Sequence, residues 1–315
     1  GKSMLRTCLT AATAVVCLAV AGRAEVVRTV TSAQSFSPGT RIPISTRGYL
    51  FYLNFSSTAA VYAPSGQPAG SLTVRNRNGL SPRLEDAAVS AGGEFAVAAV
   101  YPASSGVIVL YDRDGHETRS IDTGPYLPSH LCFGRDGSIW AIGTQVAPSG
   151  LEESDYAVVR HYSASGRETG AFVRRSSFPG HGLPPATVAG HSWGIRASGD
   201  RIGAWLCAGA SSVNMVWLEL DSSGAELGRW TLPRLHEQGS AFAGGELYQI
   251  AVQRDSAWAL NRLDRAANAW KRIESAENPW LDPDNDFGLL MDADGDQLVV
   301  ADNAGPRLRL KWVKP

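Results

Sequence analysis

Six glycines divide this chain at near-regular intervals: Gly48, Gly93, Gly137, Gly199, Gly245 and Gly295. They stand 45, 44, 62, 46 and 50 residues apart, each in a tight polar turn before an apolar run such as RGYLFYL, GGEFAVAAV or DGSIWAIG. A second series, Gly66, Gly115, Gly166 and Gly224, alternates with the first in the turns APSG, DRDG, SASG and DSSG. Glycine enters positive φ at little cost, so paired glycine turns between apolar strands read as hairpins. A unit of this length cannot bury both faces of its small sheet alone and must stack on its neighbours. Six such units in series are the sequence form of a six-bladed β-propeller.

The expected architecture is therefore all-β, with four-stranded antiparallel blades. Strand runs follow in order from Tyr49–Phe55 to Arg307–Val313. The sixth unit stops one strand short, and the missing strand is available at the other end of the fold, in Val26–Thr31. Closing the ring with that segment removes an exposed sheet edge that would otherwise invite aggregation. There is no helical pattern of useful length and no long Pro/Gly/Ser linker, so residues 25–315 read as a single domain.

The first 24 residues have a different character. Lys2 and Arg6 form a basic start, Leu9 to Ala21 is weakly apolar, and Ala24 ends a small-residue site. This is the arrangement of a secretory signal peptide, too short to span a bilayer, with Gly1-Lys2-Ser3 standing ahead of Met4. The expected product begins near Glu25 and is exported, to a periplasm or to the exterior. With 29 basic and 30 acidic residues and no basic cluster, the chain lacks a nucleic-acid surface, and no later segment suits a membrane span; a monomer is expected. Beyond the leader only Cys132 and Cys207 remain, either paired or serving as small apolar fillers.

DADGDQLVVADNAGPRLRL at 292–310 resembles the repeat of NHL-type six-bladed propellers, and GRDGSIWAIG at 134–143 is similar to its front half. The resemblance implies the propeller fold. It also implies a choice of roles, since that superfamily holds protein-binding scaffolds while related six-bladed propellers include lactonases and lyases.

Loop length shows where a site would lie. The glycine turns join strand one to two and strand three to four, and all are short. The other connections, Arg75–Glu85, Asp122–His130, Thr144–Asp155, Ser176–Ser192, Pro233–Gly239 and Glu274–Gly288, are longer and emerge on the opposite face. Variable loops on a rigid scaffold are where binding functions concentrate. At the entry to the inner strands on that face stand Glu85, Asp86, His130, His191, His236, Glu237, Asp284 and Asp286. Their functional reading is a channel-mouth site in which His130, His191 and His236 ligate a divalent metal, zinc or calcium, with carboxylates as further ligands or a general base. Their plain reading is polar capping of strand ends.

Tyr101, Tyr126, Phe178 and Trp280 fall in or beside the same loops and form a candidate aromatic rim for a sugar or peptide. Asp282–Asp286 lacks the glycine and glutamate of an EF-hand loop, and Asp292–Asp296 matches the repeat's turn, so both read as turn chemistry. No nucleophile elbow or paired-cysteine metal motif is present. The chain thus reads as an exported binding or scaffold module taking a protein, peptide or carbohydrate on its loop-bearing face. The alternative is a metal-dependent hydrolase or lyase at the channel mouth.

Overall fold

The glycine turns close hairpins as their spacing requires. All six glycines of the first series have positive φ, from 61° to 86°, as do the four of the second, from 78° to 87°. The fifth unit has no glycine of the second series; there Asn268, at φ 49°, takes the left-handed position instead. Asparagine is one of the few side chains that tolerate this conformation.

The computed structural model describes residues 24–35, 44–53, 56–102, 105–178, 193–207, 214–233, 239–252, 258–274, 290–304 and 307–315. They form six four-stranded antiparallel sheets. Strand β1 (Glu25–Ser35) comes first in the chain. Blade one is β2 (Ile44–Thr46), β3 (Tyr49–Leu53), β4 (Thr58–Tyr62) and β5 (Pro68–Thr73). Blade two is β6 (Arg83–Val89), β7 (Phe95–Tyr101), β8 (Ser105–Tyr111) and β9 (Glu117–Gly124). Blade three is β10 (Tyr126–Phe133), β11 (Ile139–Gln145), β12 (Ala157–Tyr162) and β13 (Glu168–Arg174). Blade four is β14 (Trp193–Ser198), β15 (Arg201–Cys207), β16 (Asn214–Asp221) and β17 (Glu226–Pro233). Blade five is β18 (Ser240–Ala243), β19 (Glu246–Val252), β20 (Trp258–Asp264) and β21 (Ala269–Glu274). Blade six is β22 (Leu290–Asp294), β23 (Gln297–Ala304) and β24 (Arg307–Lys314), completed by β1.

The ring closes as the unfilled sixth unit demands. β1 lies antiparallel to β24, with Glu25 opposite Lys314 and Val30 opposite Leu310. The strand runs farther than Val26–Thr31, reaching Ser35 after an irregularity in register. Two features differ from the expected strands. Blade one has a short inner strand at Ile44–Thr46, ahead of its glycine, where only three residues offer a pattern. The segment Asp122–His130 is not a long loop: β9 runs to Gly124 and β10 begins at Tyr126, leaving Pro125 alone between them.

Burial follows the ring. Six apolar clusters form, one at each junction between neighbouring blades. The junction between blades six and one, which carries closure, packs Leu50 and Tyr52 against Val299, Leu310 and Trp312. Each blade is thus covered on both faces by its neighbours, which explains strands such as FAVAAVY that are apolar almost throughout.

Candidate functional site

The inner strands β2, β6, β10, β14, β18 and β22 surround a cavity of about 110 Å³ that draws its wall from all six blades. Its lining includes Arg47, Val89, Phe133, Ser198 and Gly295, which places it toward the tight-turn end of the channel. The expected site lay at the opposite, loop-bearing mouth. The difference begins with two irregularities. β6 is bulged between Leu84 and Asp86, and β10 between Pro128 and His130, at matching heights in neighbouring blades. A bulge shifts the phase of the strand beyond it and re-aims the next side chain. Asp86 and His130 consequently sit within their strands rather than at the entry.

Asp86 is buried, and its Oδ2 accepts the Leu131 N–H at 2.9 Å. The same oxygen lies 3.4 Å from His130 Nδ1. Asp292 plays a parallel part at the junction of blades six and one, where its Oδ2 accepts the Arg47 N–H at 2.6 Å. Ser198 does so between blades four and five, with its Oγ accepting the Gly245 N–H at 2.8 Å. Every second blade therefore sends an acceptor from its inner strand to a backbone N–H of the next.

Around Asp292 the channel is charged. Arg47 pairs with Asp294 at 2.9 Å, and Arg196 Nε stands 3.8 Å from Asp292 Oδ1, beyond hydrogen-bond reach. Burial pushes the Asp292 carboxyl up to about 6, against the pull of the Arg196 guanidinium and of the N–H groups of Ala293 and Arg47. Cys132, a free thiol, lines the same cavity. Burial drives it well above the usual thiol range, so it stays protonated and is not poised as a nucleophile.

Of the expected site residues, the structure brings Asp86 and His130 together. Glu85, the bulged residue, points elsewhere and pairs with Arg83 at 2.7 Å. His191, His236, Glu237, Asp284, Asp286 and Trp280 lie outside the described residues. The three remaining rim aromatics are structural rather than exposed. Tyr101 is buried, donates to the Arg75 carbonyl at 2.7 Å and lies under the Arg77 guanidinium. Tyr126 is buried with its hydroxyl on the Val158 carbonyl at 2.9 Å. Phe178 is buried beneath Arg229. Each sits next to a loop in sequence but has its ring drawn into a blade junction, so none forms a gripping rim.

Among the described residues, three metal-ligating groups converge at Asp112, Asp114 and His116, in the turn between β8 and β9. Asp112 Oδ1 there already accepts the N–H groups of Asp114 and His116 at 3.0 and 2.9 Å, as a turn aspartate does. Arg196 and Asp292 are the channel residues that the sequence reading missed. Arg196 was legible as the single charge inside the strand WGIRAS. Asp292 was masked by its place next to the repeat's glycine turn.

No family model and no curated protein matches the chain. Solved propeller structures do. A chain of the mitotic checkpoint complex is 11% identical over 100% of this chain and 99% of that one, with a TM-score of 0.49. The β-propeller domain of Cps50 (Swd1) from Myceliophteria thermophila is 12% identical over 90% and 99%, with a TM-score of 0.44. The C-terminal WD40 domain of Sif2 is 9% identical over 93% and 98%, with a TM-score of 0.43. At such identities function rests on this chain's own residues.

Proposed function

We propose that this protein is an exported binding module that takes a protein, peptide or carbohydrate on its loop-bearing face. The observation that carries this reading is where the large apolar side chains reach solvent. Leu80, in the connection between blades one and two, is 41% exposed, and Leu151, between β11 and β12, is 72% exposed. Both belong to the loop-bearing face. Among the described residues the glycine turns themselves carry no exposed large apolar side chain; the two other exposed ones, Val27 and Leu227, lie on outer strands, near the ends that adjoin those turns. Exposed apolar groups on one face of a rigid scaffold mark a contact surface more than scattered ones do.

Export fits this reading. β1 starts at Glu25, near which the processed chain is expected to begin. The NHL-like stretch builds most of the last blade, and we read the chain as a divergent relative of that superfamily. The test is an array of immobilised peptides and glycans probed with three proteins: wild type, a Leu80→Asp/Leu151→Asp double variant, and a Leu227→Asp control. Loss of two exposed apolar anchors should weaken bound signals by at least about tenfold. The control should leave them unchanged. Signals that survive the double variant, or fall equally in the control, overturn the assignment to this face. N-terminal sequencing of the secreted product should give a start near Glu25.

A further inference from the structure

We propose that the cleft on the outer rim between blades five and six binds an extended acidic peptide, one with a carboxylate at every second residue. This surface is separate from the loop-bearing face and stands whether or not that face binds a partner. Strand alternation builds it. Tyr248 on β19 and Leu260 on β20 join the apolar cluster that holds Val300 and Val313 of blade six. Arg262 lies opposite Tyr248 and donates to its hydroxyl, and Lys271 lies opposite Arg262, so both cations project toward blade six. On β24, Leu308, Leu310 and Trp312 point into the junction with blade one. Arg307, Arg309 and Lys311, which alternate with them, therefore project toward blade five. Five cations meet at one junction, although the two sets lie far apart in sequence.

The cleft is open to solvent. Thr29 and Thr31 of β1, opposite Lys311 and Arg309, form one wall, Ala269 and Lys271 of β21 the other, and all four are exposed. Arg262 and Arg309 are half-buried in its floor beside the buried Lys311. Arg309 and Lys311 have partners already and act through their charge. Lys271 and Arg307 are exposed, and among the described residues neither has a partner, which leaves their donors to a guest. Carboxylates are fewer. Asp264 caps its own turn, accepting the Ala266 and Ala267 N–H groups at 3.1 Å. By register, Asp302 stands opposite Arg309 and Glu274 opposite Leu260. With all three counted, positive charge is still in excess, and Arg262 and Lys271 repel each other as like charges directly opposed. A carboxylate placed between them relieves that cost, and in a cleft water screens the attraction less than on an open surface.

Spacing narrows the class of guest. Alternate residues of a strand lie about 6.6–6.8 Å apart, so Arg307, Arg309 and Lys311 present positive charge at that repeat along β24. An extended peptide repeats its own alternate side chains at the same distance. Carboxylates at every second position therefore meet the cations in step, and complementary charge of this kind fixes register.

Fluorescence anisotropy of purified protein with a labelled peptide of four Thr-Asp repeats tests this. The comparison is a peptide of two Thr-Asp-Asp-Thr repeats, equal in length and charge but with its carboxylates split between both faces. The expected result is saturable one-to-one binding of the first, several-fold weaker binding of the second, and weakening of both as sodium chloride rises. The double variant Lys271→Glu/Arg307→Glu should weaken affinity by at least about tenfold, since each reversal turns an attraction into a repulsion. Lys271→Gln and Arg307→Gln, made singly, should each weaken it several-fold and keep the test valid if charge reversal perturbs the blade. Arg113→Glu/Arg167→Glu, an equal change of charge in exposed turns of other blades, should leave affinity unchanged. No saturable binding of the alternating peptide, equal affinity for its rearranged isomer, or an equal loss in the Arg113/Arg167 control overturns the proposal. Displacement of the peptide by tighter-binding polygalacturonate also overturns it, and assigns the cleft to an acidic polysaccharide instead.

Discussion

At the scale of single residues, Glu219 is a buried carboxylate at the centre of a charged network. It is 1% exposed, and its Oε1 accepts Trp217 Nε1 at 3.0 Å and Arg265 Nε and Nη2 at 2.9 and 2.7 Å. Its Oε2 faces Arg201 at 3.3 Å. Arg265 in turn reaches Glu246 at 2.8 Å, tying the third strand of blade four to blade five. A buried carboxylate is tolerated here because each oxygen has cationic donors; removing it strands the Trp217 N–H and leaves Arg265 with a partner on one side only. Glu219→Ala should therefore cost about 3 kcal/mol, and Glu219→Gln, which keeps an acceptor for the indole, distinctly less. Urea denaturation of the three proteins measures this. Equal midpoints for the alanine variant and wild type would show that the network contributes nothing net.

At the scale of elements, closure by β1 is the interaction most open to test. The strand pairs along β24 from Glu25–Lys314 to Ser35–Arg307, and Arg28 lies 4.3 Å over the Trp312 ring. Deleting residues 25–35 exposes the edge of β24 and uncovers part of two blade junctions, which should lower stability by several kcal/mol and promote association through the bared edge. Thermal melting and light scattering would show it; an unchanged melting temperature sinks the closure account. This element was legible because its absence left a gap in the count of the last blade. Ile44–Thr46 was not legible, since three residues carry no periodicity and the strand exists only because β3 stands ready to pair with it. The bulges at Glu85 and Ser129 were hidden for a related reason: one extra residue shifts a strand's phase without changing its composition. They explain why Asp86 and His130 were found as neighbours at a station deeper than their sequence positions implied. The rim aromatics failed differently. Tyr126 opens β10 and Phe178 follows the short 3-10 turn Arg175–Ser177, places where sequence alone does not say which way a ring turns.

At the scale of the whole molecule, a ring of six blades divides its burial between the blade junctions and an axial cavity in which charged groups stand beside apolar ones such as Phe242. Apolar burial sits at the six junctions, while the axis holds Asp86, Arg196 and Asp292. That division has a pH consequence. Asp292 is 5% exposed, and burial raises it from the ordinary aspartate value of 3.8 to about 6. Between those two values the folded state holds a proton that the unfolded chain releases. By linkage, stability falls as pH rises through this window. The contribution is fully present below pH 3.8 and is lost above about 6, for a total of about 3 kcal/mol. Several surface aspartates, Asp112, Asp155 and Asp221 among them, are held below their ordinary value, mainly by hydrogen bonds to their carboxylates. They act in the opposite sense, losing stabilisation as pH falls, so the raw profile of the wild type mixes both. The difference between wild type and Asp292→Asn isolates the buried group, because asparagine keeps an oxygen for the Arg47 N–H and does not titrate. Measured by urea denaturation from pH 4 to 7, the stability of wild type relative to the variant should decline steadily as pH rises. A flat difference would mean that Arg196 compensates the buried charge in full and that Asp292 stays ionised throughout.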